Sequence, residues 1–395
     1  MDILDIPLTP KQTELVRKIA QDEGIARYTV DVSEGSIRGD GYMGIITTVK
    51  INDCRSPIVL NLVFKSSKSD EQFRLVAPVR KAYLREIYIY QVIFPEFLKF
   101  QIKHRAKKKF NSHARCFRAE DGEFEETIAL EDLRTRSFKL WDKLTPMDES
   151  HVALVCREFG KFHGISFAMK QLRKEKYELL TKDLNNIFEG ADYAASLKKL
   201  ITELFGKACK IIQREDVRKA VENFGKEAFD FIKDRTNAPT QNSVLLHGDC
   251  WCNNLMFKYD DNNSQKTPTQ LCIIDWQISK VGNPCLDLAY FLWTSSSKGV
   301  LEDYRTYIKI YHDSLIQTIN DHNADPGIYP YDVFLSDWKE FAKFGLYMSF
   351  IVLEVLLGKV QEETDNNDES SQTKNPTHTE RVNYIAEIMF DNGLI

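Results

Sequence analysis

The chain has 395 residues, room for two or three domains at about 150 residues each or for one large two-lobed unit. With 53 Lys+Arg against 58 Asp+Glu the net charge is −5, which excludes the strong basic excess that nucleic acid or an anionic membrane attracts. Hydrophobic residues at 43% exclude a chain that stays unfolded for want of apolar surface, and eight cysteines without a CxxC pair exclude a disulfide framework, a zinc ribbon and a thioredoxin-type motif.

The N-terminal MDILDIPLTPKQ carries no basic region followed by an apolar one, so no secretory signal is read and a reducing, cytoplasmic location is the expectation. Residues 11–24 read as a short polar helix with Thr9 as N-cap and Gly24 as stop, a cover element. From Tyr28 to Lys65 three β-branched and aromatic runs predict an antiparallel meander. Ala82, Glu86, Ile89 and Ile93 fall at helical spacing, predicting a helix over Val79–Phe94 that Pro95 ends. Two strands, ARCFRA and EFEETIALED, follow around a turn at Asp121-Gly122. The basic run Lys99–Lys109 is followed by the acidic run Glu120–Glu126 and reads as a solvated face rather than a polyanion site.

After Leu133 the texture is helical: 152–169, then segments around Tyr193–Arg214 and Val217–Lys233. One β-like island interrupts it, SVLLHGDCWCNNLMF and QLCIIDWQI joined by the polar hairpin tip 258–269. Helices return at Asp287–Trp293, Leu301–Ile319 and Trp338–Val360. The polar tract 361–378 reads as a mobile loop, and a helix over Thr379–Phe390 closes the chain. The apolar stretch Phe341–Leu357 contains Lys343 and Glu354 and falls short of the roughly 18 uncharged residues a membrane span needs.

The strongest chemical signal is His247-Gly248-Asp249-Cys250-Trp251-Cys252-Asn253-Asn254 followed by Ile273-Ile274-Asp275-Trp276-Gln277. Each residue alone is open to a plain reading: a turn with a capping carboxylate, or a strand-end solvent contact. Together they meet the demands of phosphoryl transfer from ATP. Asp249 can orient an acceptor hydroxyl and take its proton, while Asn254 and Asp275 supply hard oxygen ligands for a divalent metal. The same chemistry wants an earlier cation on a strand and an acid on the next helix. Lys65 in LNLVFKSS and Glu86 in LREIYIY stand in that order. Gly39-Asp40-Gly41-Tyr42-Met43-Gly44 satisfies GxGxxG, and because Ile45–Ile51 continues as a strand it reads as a flap between strands rather than a dinucleotide fingerprint, which opens into a helix. No GxxxxGK[ST] occurs, which disfavours a P-loop NTPase.

HGDCWCNNLMF with IIDWQ, GNPCLDLAYFLW, REIYIYQVIFPEF and ALEDL (129–133) together resemble the ecdysteroid kinase-like family, the insect branch of the aminoglycoside phosphotransferase and choline kinase superfamily, over nearly the whole chain. The resemblance implies an α+β, bilobal protein-kinase-like fold. Residues 1–130 would form a nucleotide-binding lobe and 131–395 a mainly helical catalytic and acceptor-binding lobe. It implies ATP and Mg2+ as cofactors, Asp249 as catalytic base and His247 as a brace for its loop. Asp287 would be the buried acid that anchors this loop, against the plain reading of a helix N-cap. Asn254 and Asp275 would be metal ligands, Lys65 with Glu86 the phosphate-binding pair, Gly39, Gly41 and Gly44 the nucleotide flap, and Glu131, Asp132 and Leu133 the backbone facing adenine. His163 resembles a family position but lies on an apolar helix face and reads as structural.

The metal motif is Asp-Trp-Gln rather than Asp-Phe-Gly, so a constitutively formed metal site is the expectation. Eleven residues, 276–286, separate Asp275 from Asp287, too few for an activation segment that docks a protein substrate. The expected partner is a hydroxylated small molecule, with no nucleic acid, membrane span or obligate protein partner. The aromatic-rich helix Trp338–Val360, with Trp293, reads first as ordinary lobe packing; if it instead walls an apolar pocket beside Asp249, an ecdysteroid or a xenobiotic alcohol fits better than a polycationic aminoglycoside. Phosphorylation would make the steroid or xenobiotic water-soluble, a hormone-inactivating or detoxifying step. The rival readings are a catalytically silent pseudokinase that binds a lipophilic ligand and, with fewer of the ligands it needs, a two-metal phosphohydrolase.

Overall fold

The computed structural model describes residues 8–35, 44–260, 267–364 and 376–395. The chain divides into two compact units, neither continuous in sequence. The first gathers Met1–Glu96, His113–Lys139 and Cys272–Ile278; the second gathers Phe97–Ser112, Leu140–Leu271 and Ser279–Ile395.

The first unit opens with helix α1 (Pro10–Asp22), capped as the sequence suggests. Thr9 accepts from the N–H of Gln12, the Gln12 side chain returns to the N–H of Thr9, and Gly24 leaves the helix at φ +76°. Strands β1 (Tyr28–Glu34), β2 (Gly44–Asp53) and β3 (Val59–Ser67) form the expected meander. Helices α2 (Glu71–Val76), α3 (Val79–Tyr88) and α4 (Phe94–Lys103) follow, then β4 (Cys116–Glu120) and β5 (Thr127–Glu131). The five strands make one antiparallel sheet in the order β1-β2-β3-β5-β4. Leu15, Val16, Ile19 and Ala20 of α1 form one core with Val49, Ile51, Leu62, Phe64 and Ala129 of the sheet. Strand period 2 then decides the other face: with Leu62 and Phe64 turned to α1, Lys65 points the opposite way.

Pro95 does not end the second helical segment. Residues Ile89–Ile93 form a π turn in which the N–H of Phe94 reaches the carbonyl of Ile89, and helix resumes as α4 with Pro95 in its first turn. A proline is tolerated there because no N–H is needed, and the wider turn before it avoids the clash with the carbonyl four residues back.

Past the short strand β6 (Phe138–Leu140) come α5 (Glu149–Leu172), α6 (Lys174–Thr181), α7 (Ala191–Ile211) and α8 (Glu215–Asp230). Then follow β7 (Val244–Leu246), β8 (Leu255–Tyr259), β9 (Pro268–Ile273), β10 (Lys280–Gly282) and α9 (Cys285–Ser295). The chain ends with α10 (Lys298–Glu302), α11 (Tyr304–Asp321), α12 (Tyr331–Phe341), α13 (Lys343–Thr364) and α14 (His378–Asp391). The fold is α+β, an antiparallel sheet in the N-terminal region and a mainly helical remainder. The helix expected over Trp338–Val360 is two helices. They part at Ala342, where the N–H of Gly345 bonds to the carbonyl of Ala342, a three-residue turn in place of the four-residue spacing. Among the described residues no helix is long and apolar enough to cross a membrane.

In the second unit, α5 and α11 pack closely because α5 carries Gly160 and Gly164, whose absent Cβ atoms would meet the carbonyls of Tyr311 and Leu315. The antiparallel pair of β7 with β10, in register Leu246↔Lys280, brings residue 247 beside the entry to α9. That pairing positions the His247–Asp249 segment within the second unit.

Candidate active site

In the first unit the candidate residues gather around one lysine. The Nζ of Lys65 lies 2.7 Å from Oε2 of Glu86 and 2.8 Å from Oδ1 of Asp275. Glu86 falls on the buried stripe of α3 with Val79, Ala82, Tyr83 and Ile87, a position where a charge persists only with a partner. Burial pushes its carboxyl up to about 7 against the pull of Lys65, and the negative Asp275 adds to the rise. Burial alone would lower the Lys65 ammonium, but the charges of Asp275 and Glu86 outweigh it and its pKa is raised. The ammonium therefore stays protonated.

Asp275 sits at φ +65°, the left-handed region that aspartate tolerates better than most residues. This local turn sends the carboxylate to Lys65 and buries the next residue. Trp276 has no exposure, donates from Nε1 to the carbonyl of Ile273 at 3.1 Å, and packs edge-on against Phe94. Its N–H reaches Oε1 of Glu86 at 3.4 Å, so strand end, lysine and helix form one hydrogen-bonded unit. Gln277 is buried as well.

The flap glycines Gly39 and Gly41 lie outside the described residues. Gly44 opens β2, where a Cβ would strike the carbonyl of Ser66 and the hydroxyl of Tyr83. Of the three hinge residues, Glu131 and Asp132 already give their N–H groups to the carbonyls of Arg115 and Asn61. The carboxylate of Asp132 accepts from the backbone and guanidinium of Arg134, whose other nitrogens reach the carbonyl of Gly35 and the hydroxyl of Thr48. One arginine thus ties residue 132 to the chain just past β1 and to β2.

In the second unit the organiser is Asp287. It lies in the first turn of α9 rather than at its N-cap, and its carboxylate accepts the N–H groups of His247 at 2.7 Å and Gly248 at 3.0 Å. His163 approaches the same carboxylate through Nε2 at 3.3 Å and bonds Tyr311 through Nδ1 at 2.7 Å. Burial alone would raise the Asp287 carboxyl, but the hydrogen bond and charge of His163, with His247 and the amide of Gly248, hold it below its usual value. Gly248 turns at φ +88°, a conformation open to glycine and strained for most other residues. His247 is wholly buried and its Nδ1 accepts the N–H of Asp249 at 3.1 Å, which places the ring proton on Nε2.

The side-chain donors described for Asp249 are neutral. Nδ2 of Asn254 and Nε1 of Trp251 reach Oδ2 at 2.8 and 3.3 Å, and the hydroxyl of Tyr290 reaches Oδ1 at 2.9 Å. Asn254 also gives Nδ2 to the carbonyl of Asp249, so both contacts fix its amide orientation and leave Oδ1 as its acceptor. Asn254 and Asp275 therefore each offer an oxygen of the kind magnesium takes. Among the described residues no group of three or more His, Cys, Asp and Glu side chains is placed to hold a metal.

The model of the ecdysteroid kinase-like family matches residues 38–324. This chain belongs to that family. Lys65, Glu86, Asp249, Asn254, Asp275, Asp287 and Tyr290 all fall within the match. Among curated proteins, a 4-hydroxytryptamine kinase of Psilocybe cyanescens is 29% identical over 109 residues, covering 26% of this chain and 29% of that protein. Among solved structures, a glucosamine kinase in complex with glucosamine, ADP and inorganic phosphate aligns at 9% identity and a TM-score of 0.37, covering 98% of this chain and 83% of that one. An aminoglycoside phosphotransferase of Streptomyces rimosus aligns at 9% identity and 0.32, covering 87% and 99%.

The two tryptophans follow the lobe-packing reading. Trp293 has no exposed surface: its ring packs against Gly345 and Tyr304, and Trp338 stacks on Tyr304 from the other helix. Both tryptophans are core rather than pocket wall. Sequence reasoning missed Tyr290 and Arg134. Tyr290 stands three residues after Asp287, one helical turn on, and that spacing was its only signal.

Proposed function

We propose that this ecdysteroid kinase-like protein transfers the γ-phosphoryl group of ATP to a hydroxyl of a lipophilic small molecule, an ecdysteroid or xenobiotic alcohol. The observation that carries the reading is Lys65, a nearly buried ammonium bracketed by two carboxylates. Such an arrangement costs desolvation energy that a hydrophobic isostere would avoid, and phosphoryl transfer gives it a use.

In this reading the residues to about 130 form the nucleotide-binding part and the remainder the catalytic and acceptor-binding part. Lys65 would bind the α- and β-phosphates while Glu86 keeps it in place. The flap of Gly39, Gly41 and Gly44 would cover the nucleotide. With the N–H groups of Glu131 and Asp132 already used, the hinge donor to adenine would be the amide of Leu133. Asn254 and Asp275 would supply oxygens to magnesium, which when bound offsets the charge of the phosphates. Asp249 would orient the acceptor hydroxyl and take its proton. The hydroxyl oxygen forms the new O–P bond, the bond from the γ-phosphorus to the β–γ bridging oxygen breaks, and ADP leaves. Asp287, braced by His163, and His247 hold the loop that carries Asp249.

With Trp293 and Trp338 removed from the wall, apolar surface beside Asp249 comes from half-buried Trp251 and from Phe344, edge-on to Tyr290. A relative named for an aromatic hydroxyl acceptor, 4-hydroxytryptamine, adds plant and fungal phenols to the candidates. The test is a mass-spectrometric screen for gain of one phosphoryl group across ecdysteroids, phenols, glycosides, choline and aminoglycosides with ATP and magnesium. Phosphorylated ecdysteroids or phenols are expected. Reaction of choline or aminoglycosides alone refutes the lipophilic acceptor. Binding of ATP without any transfer or hydrolysis points to the silent pseudokinase instead.

A further inference from the structure

The geometry points to Tyr290 as a positioning residue that fixes the plane of the Asp249 carboxylate, an inference that rests on Asp249 being the catalytic base.

Helix α9 is apolar around Tyr290: Leu286, Leu288, Ala289, Phe291 and Leu292 are all buried. A phenylalanine would complete that surface without a polar atom. The tyrosine hydroxyl is instead carried into the interior, where its desolvation is offset by the 2.9 Å bond to Oδ1 of Asp249. Its ring stands edge-on to Phe344 of α13, centroids 6.3 Å apart, so the hydroxyl is aimed by a packed ring. Burial and the neighbouring carboxylate push the phenol well above its usual pKa, so it remains a donor throughout any assay range.

The other two side-chain donors described for Asp249, Trp251 and Asn254, belong to the same loop and grip Oδ2. They move with the carboxylate they hold. Tyr290 comes from a different element and takes Oδ1. The terminal torsion of aspartate is broad and nearly two-fold, so its plane is set by hydrogen bonds, and a donor on the other oxygen from a separate helix ties that plane to α9 as well as to the loop. One turn of α9 therefore does two jobs. Asp287 fixes the loop backbone at residues 247 and 248, and Tyr290 fixes the reacting side chain two residues on.

The experiment measures ADP release from ATP and magnesium, with water as phosphoryl acceptor, for the wild-type chain, Tyr290→Phe and Asp249→Asn, alongside melting temperatures. Tyr290→Phe keeps the ring and its packing on Phe344. The expected result is a kcat reduced about 10- to 100-fold with the KM for ATP within about twofold of wild type, the pattern of a lost transition-state interaction. Wild-type kcat in Tyr290→Phe, with Asp249→Asn inactive, overturns the role of Tyr290 and leaves the kinase reading standing. A rise in KM together with a fall in melting temperature makes Tyr290 structural and overturns it as well. No turnover in the wild type, or full turnover in Asp249→Asn, removes the premise and the inference together.

Discussion

Lys65 in the first unit and Asp249 in the second differ in the kind of partners described for them. Lys65 is bracketed by two carboxylates, one of them without exposure, so its surroundings are ionic and desolvated. The side-chain donors described for Asp249 are an amide, an indole and a phenol, none of which carries charge. The physical consequences differ. Ions taken out of water depend on each other for their solvation, so removing one partner destabilises the fold. Neutral donors orient a carboxylate without cancelling its charge, so removing one disturbs geometry more than stability.

The largest effect that would test this contrast is Asp249→Asn. Loss of the base lowers kcat about 10²- to 10⁴-fold, while ATP still raises the melting temperature. Unchanged turnover would sink the mechanism. Lys65→Met comes next and acts on the fold: it strands Glu86 and Asp275, and the expected loss is on the order of 3–5 kcal/mol in urea unfolding. Adding Glu86→Gln to Lys65→Met should recover part of it. A Lys65→Met variant as stable as wild type would dissolve the distinction between the two clusters.

A second ionic cluster in the first unit sharpens the point through pH. Glu126 accepts from Arg74 at 2.7 Å, Arg80 at 3.1 Å and the hydroxyl of Ser67 at 2.5 Å. Burial alone would raise its carboxyl, but these bonds hold it at about 2. The folded value lies below the ordinary one, so the stabilisation is fully present above about pH 4.5 and is lost as pH falls toward 2. It amounts to something on the order of 2–3 kcal/mol. Urea midpoints between pH 5 and 2 should fall more steeply for wild type than for Glu126→Gln; equal slopes would remove the ionic contribution. The smallest effects are a matched pair of controls. Thr9 and Thr377 each close a capping box, one in each unit, and Thr9→Ala and Thr377→Ala should each cost about 1 kcal/mol without altering kcat.

Helix α1 was legible because its signals are local: a threonine cap, a reciprocal glutamine and a glycine stop act within one turn. The meander was legible for a similar reason, since β-branched and aromatic runs broken by turn residues are local signals. Glu86 was legible only by its order, an acid on the helix that follows the Lys65 strand. Pro95 misled because the π turn that accommodates it involves residues before the proline and leaves no composition signal. The split between α12 and α13 was hidden in a run that reads as continuous helix. The pocket-wall option for Trp293 stayed open in the sequence because an aromatic residue looks the same there whether it faces a ligand or a core.

The sequence by itself determined the element types of the sheet and most helices, the family, and the order of the charged residues that any phosphoryl-transfer reading needs. These follow from short-range periodicity, capping and motif spacing. Tertiary structure alone decided which partners hold those residues. It gave Asp275 to Lys65 across 210 positions, Asp287 to the amides of 247 and 248, and Tyr290 to Asp249 across 41. Such bonds depend on where strands and helices pack, and a hydroxyl buried on an apolar helix carries no mark in the chain of the carboxylate it will meet.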